Sequence, residues 1–294
     1  MKDKDFVIIT EGTCDLPAEY CQKEGIEVIP MAYTIDGKTY MSGEEGALTS
    51  KQFIAMLRGG KMPTTALVSP LTAKEAAEKY LAKGINVLYI AFSSALSGSC
   101  QSAQMAAKEL EGKHLARMVV VDSLNASMGE GMLVYYAAAF KRAGNSFEDT
   151  CIFTENAALR VSSFFTANDL FHLYRGGRVT KGKAIVGTLL KIKPLLYVDP
   201  EGKLIPVKNC MGRKNAIHWL CDSMADMRDE DTDTVFISHA DAPEHAELLK
   251  KLVSEKYGIK NYMISDIGPI IATHAGPDTV AMFFLGKQRR SIVG

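Results

Sequence analysis

Residues 87–103 read VLYIAFSSALSGSCQSA. An apolar run from Val87 to Phe92 stops at a cluster of hydroxyl and glycine residues, and helical spacing begins directly after it. A buried strand closed by small polar residues and followed by a helix is how an α/β sheet carries ligand-binding groups to the carboxyl edge of a strand. Ser97 and Gly98 then stand at a helix N-terminus, where unpaired N–H groups and the helix dipole favour an anionic oxygen without requiring a cation.

Working outward, FVIIT (6–10) and MVVVDS (118–123) are short apolar runs of the same type, as expected of parallel strands covered on both faces. Helical spacing recurs in TAKEAAEKYLAKG (72–84), from Ser99 to Leu110, and in MGEGMLVYYAAAFKRAG (128–144). CDLPAEYCQKEG (14–25) reads as a helix with Asp15 as N-cap and Pro17 in its first turn. VIPMAYTIDGKTY (28–40) reads as extended chain around an Asp36-Gly37 turn. The first half is therefore expected to be a doubly wound, mainly parallel α/β sheet. Met132 to Phe140, apolar on every side, fits a buried helix or the wall of a channel.

Near residue 160 the rhythm changes. RVSSFFTA reads as a strand, KAIVGTLLKIKPLLYV (183–198), KLIPVKNC and TVFISHA follow, and MISDIGPIIAT (263–273) and TVAMFFLG read as two closing strands. Between them fall a short helix DLFHLYRGG (169–177) and the helices GRKNAIHWLCDSMADM and PEHAELLKKLVSEKYG. Strand pairs fall closer together than a crossover helix permits, so residues 161–294 are expected to form an α+β domain with a mixed or antiparallel sheet. Residues 1–160 form the first domain on this reading.

Composition bounds the function. The 294 residues are 47% hydrophobic, and 34 basic residues balance 34 acidic ones. A formal net charge of zero argues against a nucleic-acid partner. MKDKDFVIITEG runs almost directly into a strand with no signal-peptide core, and no stretch approaches the length of a membrane span, so a cytoplasmic protein is expected. The six cysteines show no CxxC pair or metal-ligand spacing and read as reduced thiols. His239-Ala240-Asp241 is a strand end with a capping aspartate rather than a metal pair.

Three small-polar clusters carry the ligand chemistry. Pro63 to Pro70 is a turn-rich segment before a helix, and Ser93 to Ser99 is the cluster already described. The third, Ile267 to Pro277, reads as a strand ending in a turn that holds an imidazole beside Thr273. Singly, each is an ordinary helix cap or turn. Jointly they line a pocket with hydroxyls.

These segments carry a resemblance to the DegV family of bacterial fatty acid-binding proteins. Thr10 to Pro17 is similar to the family's T-D-S-T-x-D-L-P, Pro63 to Pro70 to P-T-T-S-Q-P-S-P, and Ser93 to Ala103 to S-S-x-L-S-G-T-Y-Q-S-A. Val121-Asp122-Ser123, Arg175 to Arg178, Leu190 to Pro194 and Ile267 to Asp278 continue the match over essentially the whole chain. The resemblance implies that Thr65, Ser97, the Gly98 amide, Thr273 and His274 bind a fatty acid carboxylate, with the acyl chain in an apolar channel. It implies palmitate- or oleate-class ligands, no cofactor and no metal. A fatty acid kinase would phosphorylate the presented acid, Arg178 and Arg213 would dock that kinase, and membrane contact would be transient. Departures include Glu11 for Asp, Gly12 for Ser, Ala66 for Ser, Leu67 for Gln, Ser99 for Thr, Cys100 for Tyr, Ala272 for Gly and Asp278 for Gly, the last adding a charge near the pocket mouth.

The rival reading uses the same residues as an acyl-transfer enzyme, with Ser97 as nucleophile and His274 as base, but no acidic residue stands out as the orienter of His274, though Asp266 and Asp278 are near it in sequence. Ser97 lacks the G-x-S-x-G elbow of α/β hydrolases. A nucleotide-binding module needs a glycine-rich loop after the first strand, and Thr10 to Thr13 holds a single glycine.

Overall fold

The computed structural model describes residues 6–180 and 191–292, which form three sheets. Strands β1 (Phe6–Glu11), β2 (Ile26–Ile29), β6 (Asn86–Ala91) and β7 (Met118–Asp122) make a parallel sheet in the order β2-β1-β6-β7. Alternate residues of each strand face opposite ways. Ile8, Leu88 and Ile90 enter one core with Met132, Leu133 and Phe147, while Ile9, Val87 and Tyr89 enter a second with Ala73, Ala77 and Ala103. Helices α3 (Pro70–Leu81) and α4 (Ser99–Leu110) cover the second face. Helices α1 (Ala18–Glu24), α5 (Met128–Arg142) and α6 (Phe147–Ala158) cover the first. Burial on both sides is why these strands are continuous apolar runs.

The chain leaves β1 toward β2 and later leaves β6 toward β7, in the opposite direction. The adjacent carboxyl ends of β1 and β6 therefore form the switch point where open α/β sheets bind ligands. A smaller antiparallel sheet, with β3 (Ala32–Ile35) between β4 (Lys38–Met41) and β5 (Thr64–Thr65), lies beside helix α2 (Ser50–Arg58). Thr49 and Gln52 close the N-terminus of α2 reciprocally as a capping box.

The second large sheet runs β10-β9-β8-β13-β11-β12, with β8 (Val161–Thr166), β9 (Ile192–Val198), β10 (Leu204–Met211), β11 (Thr234–His239), β12 (Asn261–Asp266) and β13 (Val280–Leu285). Only the β11–β12 pair is parallel, so the sheet is mixed, as the close strand spacing predicts. Helices α8 (Arg213–Met227) and α9 (Pro243–Tyr257) cover its outer face. Helix α5 fills the space between the two large sheets, touching β1 and β6 on one side and β8, β11 and β13 on the other. The glycines of MGEGM permit this. A Cβ at Gly129 would lie 2.7 Å from Asn125 Oδ1, and one at Gly131 would lie 2.5 Å from the Cys14 carbonyl oxygen.

Three sequence expectations need correction. Thr64 and Thr65 are not turn but strand, because they pair with Thr34 and Tyr33 at the edge of the small sheet. Residues 269–275 are not strand but helix α10 (Pro269–Ala275), entered through Gly268 with Pro269 in its first turn, which presets the backbone angle. Asp15 caps no helix; it has φ 53°, and Pro17 is the N-cap of α1. The remaining short helix, α7 (Phe171–Arg175), stands where DLFHLYRGG predicts it. Lys181, Lys183 and the start of KAIVGTLLKIKPLLYV lie outside the described residues. All six cysteines are free thiols, and no described helix is long and apolar enough to cross a membrane.

Candidate functional site

Beyond Phe92 the chain is held by its own hydroxyls. Ser93 Oγ donates to the Gly202 carbonyl at 2.9 Å, tying this loop to the β9–β10 hairpin. Asp122, at the end of β7, accepts the Ser94 N–H at 3.2 Å and the Leu124 N–H at 2.9 Å. With the loop anchored, Gly98 becomes the N-cap residue of α4, and Ser97 Oγ accepts the Ser99 N–H at 3.2 Å. Ser97 and Gly98 face a cavity of about 200 Å³ at the sheet switch point. Leu67, standing where the family motif has Gln, lies over Gly98, its Cδ2 at 3.2 Å from where a Cβ would be.

Two further elements deliver polar groups to the same cavity. Strand β5 brings Thr65, and α10 brings His274; Thr65 Oγ1 and His274 Nε2 are 2.9 Å apart. The ring of His274 stacks so closely on Gly176 that a Cβ there would overlap Nδ1. Burial is the main cause that pushes His274 down to about 4, with the cationic Arg178 and Arg175 and nearby His172 adding to it. At neutral pH the ring is therefore uncharged.

The cation of the site is Arg178. It is expected above as a docking contact, yet its side chain lines the cavity beside Ser97 and His274. Nε donates to the Leu96 carbonyl at 3.0 Å and Nη1 to the Gly176 carbonyl, so both fixed bonds go to backbone oxygens. Among the described residues no carboxylate pairs with this guanidinium. Arg178 reaches the cavity because the chain after α7 folds back onto the loop before α4, where its Nε meets the Leu96 carbonyl. Arg213 behaves differently. It opens α8, lines neither this cavity nor its neighbour, and has both terminal nitrogens buried without a partner.

Thr273 is not brought to the cavity. Its hydroxyl donates to the Pro269 carbonyl at 2.8 Å, one turn back along α10, and the residue is 1% exposed. The helix that places His274 inward turns Thr273 away, a consequence of 100° per residue that the strand reading misses. Asp278 is also elsewhere. It pairs with Arg58 at 2.7 Å in a separate polar cavity of about 250 Å³ lined also by Asp169 and His172.

The rest of the main cavity is apolar, walled by Phe165, Val198, Leu204 and Phe283 of the mixed sheet, Ile270 of α10 and Phe92 of the loop after β6. Its deeper hydroxyls are largely committed. Ser163 donates to Asn125 Oδ1 at 2.5 Å, and Ser127 donates to Asp15 Oδ2 at 2.5 Å. Asp15 Oδ1 accepts the Gly268 N–H at 2.9 Å, so this carboxyl ties the loop after β1 to the start of α10. Burial pushes Asp15 up to about 7. No group of His, Cys, Asp and Glu side chains able to hold a metal ion occurs among the described residues.

Ser97 and His274 are not arranged as a nucleophile and base with an orienting carboxylate. His274 Nε2 is engaged with Thr65, its Nδ1 has no partner, and neither candidate carboxylate orients it. Asp266 lies against His239 at 3.3 Å, and Asp278 against Arg58. Polar donors and one guanidinium beside an apolar lining have the chemistry a long-chain carboxylate would need.

The family model described as the DegV family of uncharacterised proteins matches residues 5–287. The chain belongs to the DegV family. A DegV domain-containing protein of Clostridium perfringens is 39% identical over 288 residues, covering 97% of this chain and 99% of that protein. A second from Lactococcus lactis is 36% identical over 286 residues, with 97% and 99% covered. Among solved structures, a DegV lipid-binding protein of Thermotoga maritima superposes with a TM-score of 0.85 at 28% identity, covering 97% of this chain and 100% of its own. A DegV protein of Thermus thermophilus described by its fatty acid binding gives 0.86 at 27%, covering 96% and 99%. A fatty acid-binding DegV protein of Streptococcus agalactiae gives 0.84 at 29%, again covering 96% and 99%. Family membership and the two-sheet DegV architecture are thus as the motifs imply.

Proposed function

We propose that this protein binds a long-chain fatty acid of the palmitate or oleate class, with the carboxylate at Thr65, Ser97, the Gly98 amide, His274 and Arg178. The observation that carries this reading is the convergence of neutral donors and one uncompensated guanidinium at the end of an apolar cavity. Each acyl methylene removed from water contributes about 0.8 kcal/mol, so the chain supplies most of the affinity. The carboxylate must still be satisfied, because a buried, unpaired charge costs several kcal/mol or takes up a proton. Arg178 supplies the charge, while the hydroxyls and the neutral imidazole supply direction.

The division of labour follows the chain. We place the domain boundary near residue 160, the first domain giving Thr65, Ser97 and Gly98 and the second completing the head-group site with Arg178 and His274. The protein acts as a carrier, not an enzyme. It presents the acid end to a fatty acid kinase, which would phosphorylate it to an acyl phosphate. The DegV structures that carry or bind fatty acids support the ligand class.

The test is the content of the purified protein. Organic extraction and mass spectrometry should recover about one long-chain fatty acid per chain from recombinant protein. Absence of lipid, together with no binding of added palmitate or oleate, refutes the carrier reading.

A further inference from the structure

The segment 58–65 is fastened to the segment 273–278 at successive points, from the head-group site outward. Innermost, Thr65 Oγ1 meets His274 Nε2 at 2.9 Å. Next, Arg175 Nη2 donates to the Pro63 carbonyl at 3.2 Å and to the Thr273 carbonyl at 3.4 Å. Outermost stands Arg58, the last residue of α2. Its Nη1 donates to Asp241 Oδ2, and its Nη2 donates to the Asp241 carbonyl at 3.2 Å and to Asp278 Oδ1 at 2.7 Å. A solvent-exposed ion pair ordinarily contributes little. Here, however, both aspartates stand in the left-handed region, with φ 53° at Asp241 and 61° at Asp278, and the DegV motif has Gly at the second position. Backbone strain of this kind persists where the surroundings over-determine it. The two loops also bond to each other, Asp278 N–H to the Ala240 carbonyl and Ala240 N–H to the Thr279 carbonyl, each at 2.9 Å. Arg58 therefore grips one unit rather than two loose side chains.

This clasp lies close in sequence to both halves of the innermost contact. Thr65 follows Arg58 by seven residues, and Asp278 follows His274 by four. Gly59 caps α2, and Gly60 has φ 83° with open space around it, so the chain from α2 to β5 begins on two glycines with no stiffness of their own. Strand β5 is two residues long and sits at the edge of the small sheet. So short a strand does not fix its own distance from α10. Lys61 pairs with Asp36 of the same small sheet at 2.8 Å, so it moves with β5 rather than anchoring it to α10. On the other side, Gly276 lies so close to the ring of His172 that a Cβ would come within 2.6 Å of Cδ2, which leaves the turn from His274 to Asp278 little room to shift.

We propose that Arg58 is a positioning residue of the fatty acid site, which by clasping Asp241 and Asp278 holds the Thr65 strand against the imidazole of His274. Its effect on binding rests on the fatty acid reading of that site, whereas its effect on the Thr65–His274 contact does not. With the clasp closed, the Thr65 hydroxyl and the His274 ring converge on one point of the head-group site. With it open, β5 is free to drift on its glycines, and the two groups no longer meet a single carboxylate. The acyl wall is untouched, because Phe165, Val198, Leu204 and Phe283 belong to the mixed sheet.

Displacement titrations with palmitate and methyl palmitate test this. Arg58→Ala should weaken palmitate about threefold to tenfold and methyl palmitate less than about twofold, since a misplaced head-group contact costs less than a deleted one. Asp241→Asn with Asp278→Asn removes the clasp from the other side, tolerates the left-handed backbone and should reproduce that loss, while Arg58→Lys should recover part of it. In a Thr65→Ala background, Arg58→Ala should add less than about twofold, because its effect has nothing left to act through. In protein stripped of lipid, the nitrogen NMR signals of the His274 ring should move in Arg58→Ala in the same direction as in Thr65→Ala. Equal losses for acid and ester, a full Arg58→Ala loss retained without Thr65, or ring signals that stay at their wild-type positions in Arg58→Ala each overturn the clasp. No palmitate binding by wild type overturns the fatty acid reading, and the ring signals then decide the clasp alone.

Discussion

Replacing Arg178 by Ala should weaken fatty acid binding between tenfold and roughly a hundredfold, and it should do so through charge. The side chain lines the cavity, its fixed bonds run to the Leu96 and Gly176 carbonyls, and its charge is uncompensated by any described carboxylate. A hydrogen bond to a charged group contributes about 1.5–3 kcal/mol, and each 1.4 kcal/mol is tenfold in Kd. Losing the bond to Leu96 will also loosen the loop that carries Ser97, so affinity for the acid alone does not isolate the charge. The fatty acid methyl ester does, because it keeps the acyl chain and removes the anion. Displacement titrations of acid and ester against wild type, Arg178→Ala and Arg178→Lys complete a double-mutant cycle. The acid should suffer in Arg178→Ala and recover partly in Arg178→Lys, while the ester binds all three proteins within about twofold. Equal losses for acid and ester would mean that Arg178 acts through loop packing. An unchanged affinity for the acid would place the carboxylate elsewhere.

Ser97→Ala and Thr65→Ala should each weaken binding at pH 6 by about tenfold or more, from the lost donor in the first case and the freed His274 ring in the second; tight binding retained in both refutes the head-group assignment. Neither variant, nor His274→Ala, should change the background hydrolysis of an activated acyl ester, whereas a shared loss of saturable esterase activity would revive the nucleophile reading. Asp15 should make the fold less stable as pH rises. Its folded value of about 7 stands above the ordinary 3.8, so the stabilisation is complete below the lower value and lost as pH climbs through the upper one. Urea unfolding of Asp15→Asn between pH 4 and pH 8 should show a slope smaller by about one proton, since the amide can still accept from Gly268 and donate toward Ser127; an unchanged slope would mean that Asp15 is ionised throughout.

Much of the architecture is legible without coordinates because it is local. The apolar runs at Phe6, Asn86 and Met118 are strands because sheet burial on both faces leaves no polar alternation to read, and the helices from Ser99 and Met128 begin where small residues end such runs. The Ser97–Gly98 turn is legible for the same reason: a strand, a polar cluster and a helix are consecutive in the chain. Gly129 and Gly131 are visible as letters, but their purpose, admitting α5 between two sheets, depends on the Cys14 carbonyl and on Asn125 and Ser163.

What the tertiary structure alone decided is where charge goes. Asp15 looks like a helix cap because Pro17 follows it, yet its partner is the Gly268 amide, 253 residues away in sequence. Arg178, expected from the resemblance as a docking contact, lines the cavity, and nothing in neighbouring residues records which way a guanidinium points. Glu11 appears in the sequence only as a departure from the family motif, and its full burial is visible only in the folded chain. Thr273 and His274 are adjacent letters, but the helical turn at Gly268-Pro269 sends one hydroxyl back to its own backbone and the imidazole into the cavity. Periodicity is a property of nearest neighbours along the chain and survives in the sequence. Hydrogen bonds and desolvation are properties of neighbours in space, and those were set by the packing of two sheets around one helix.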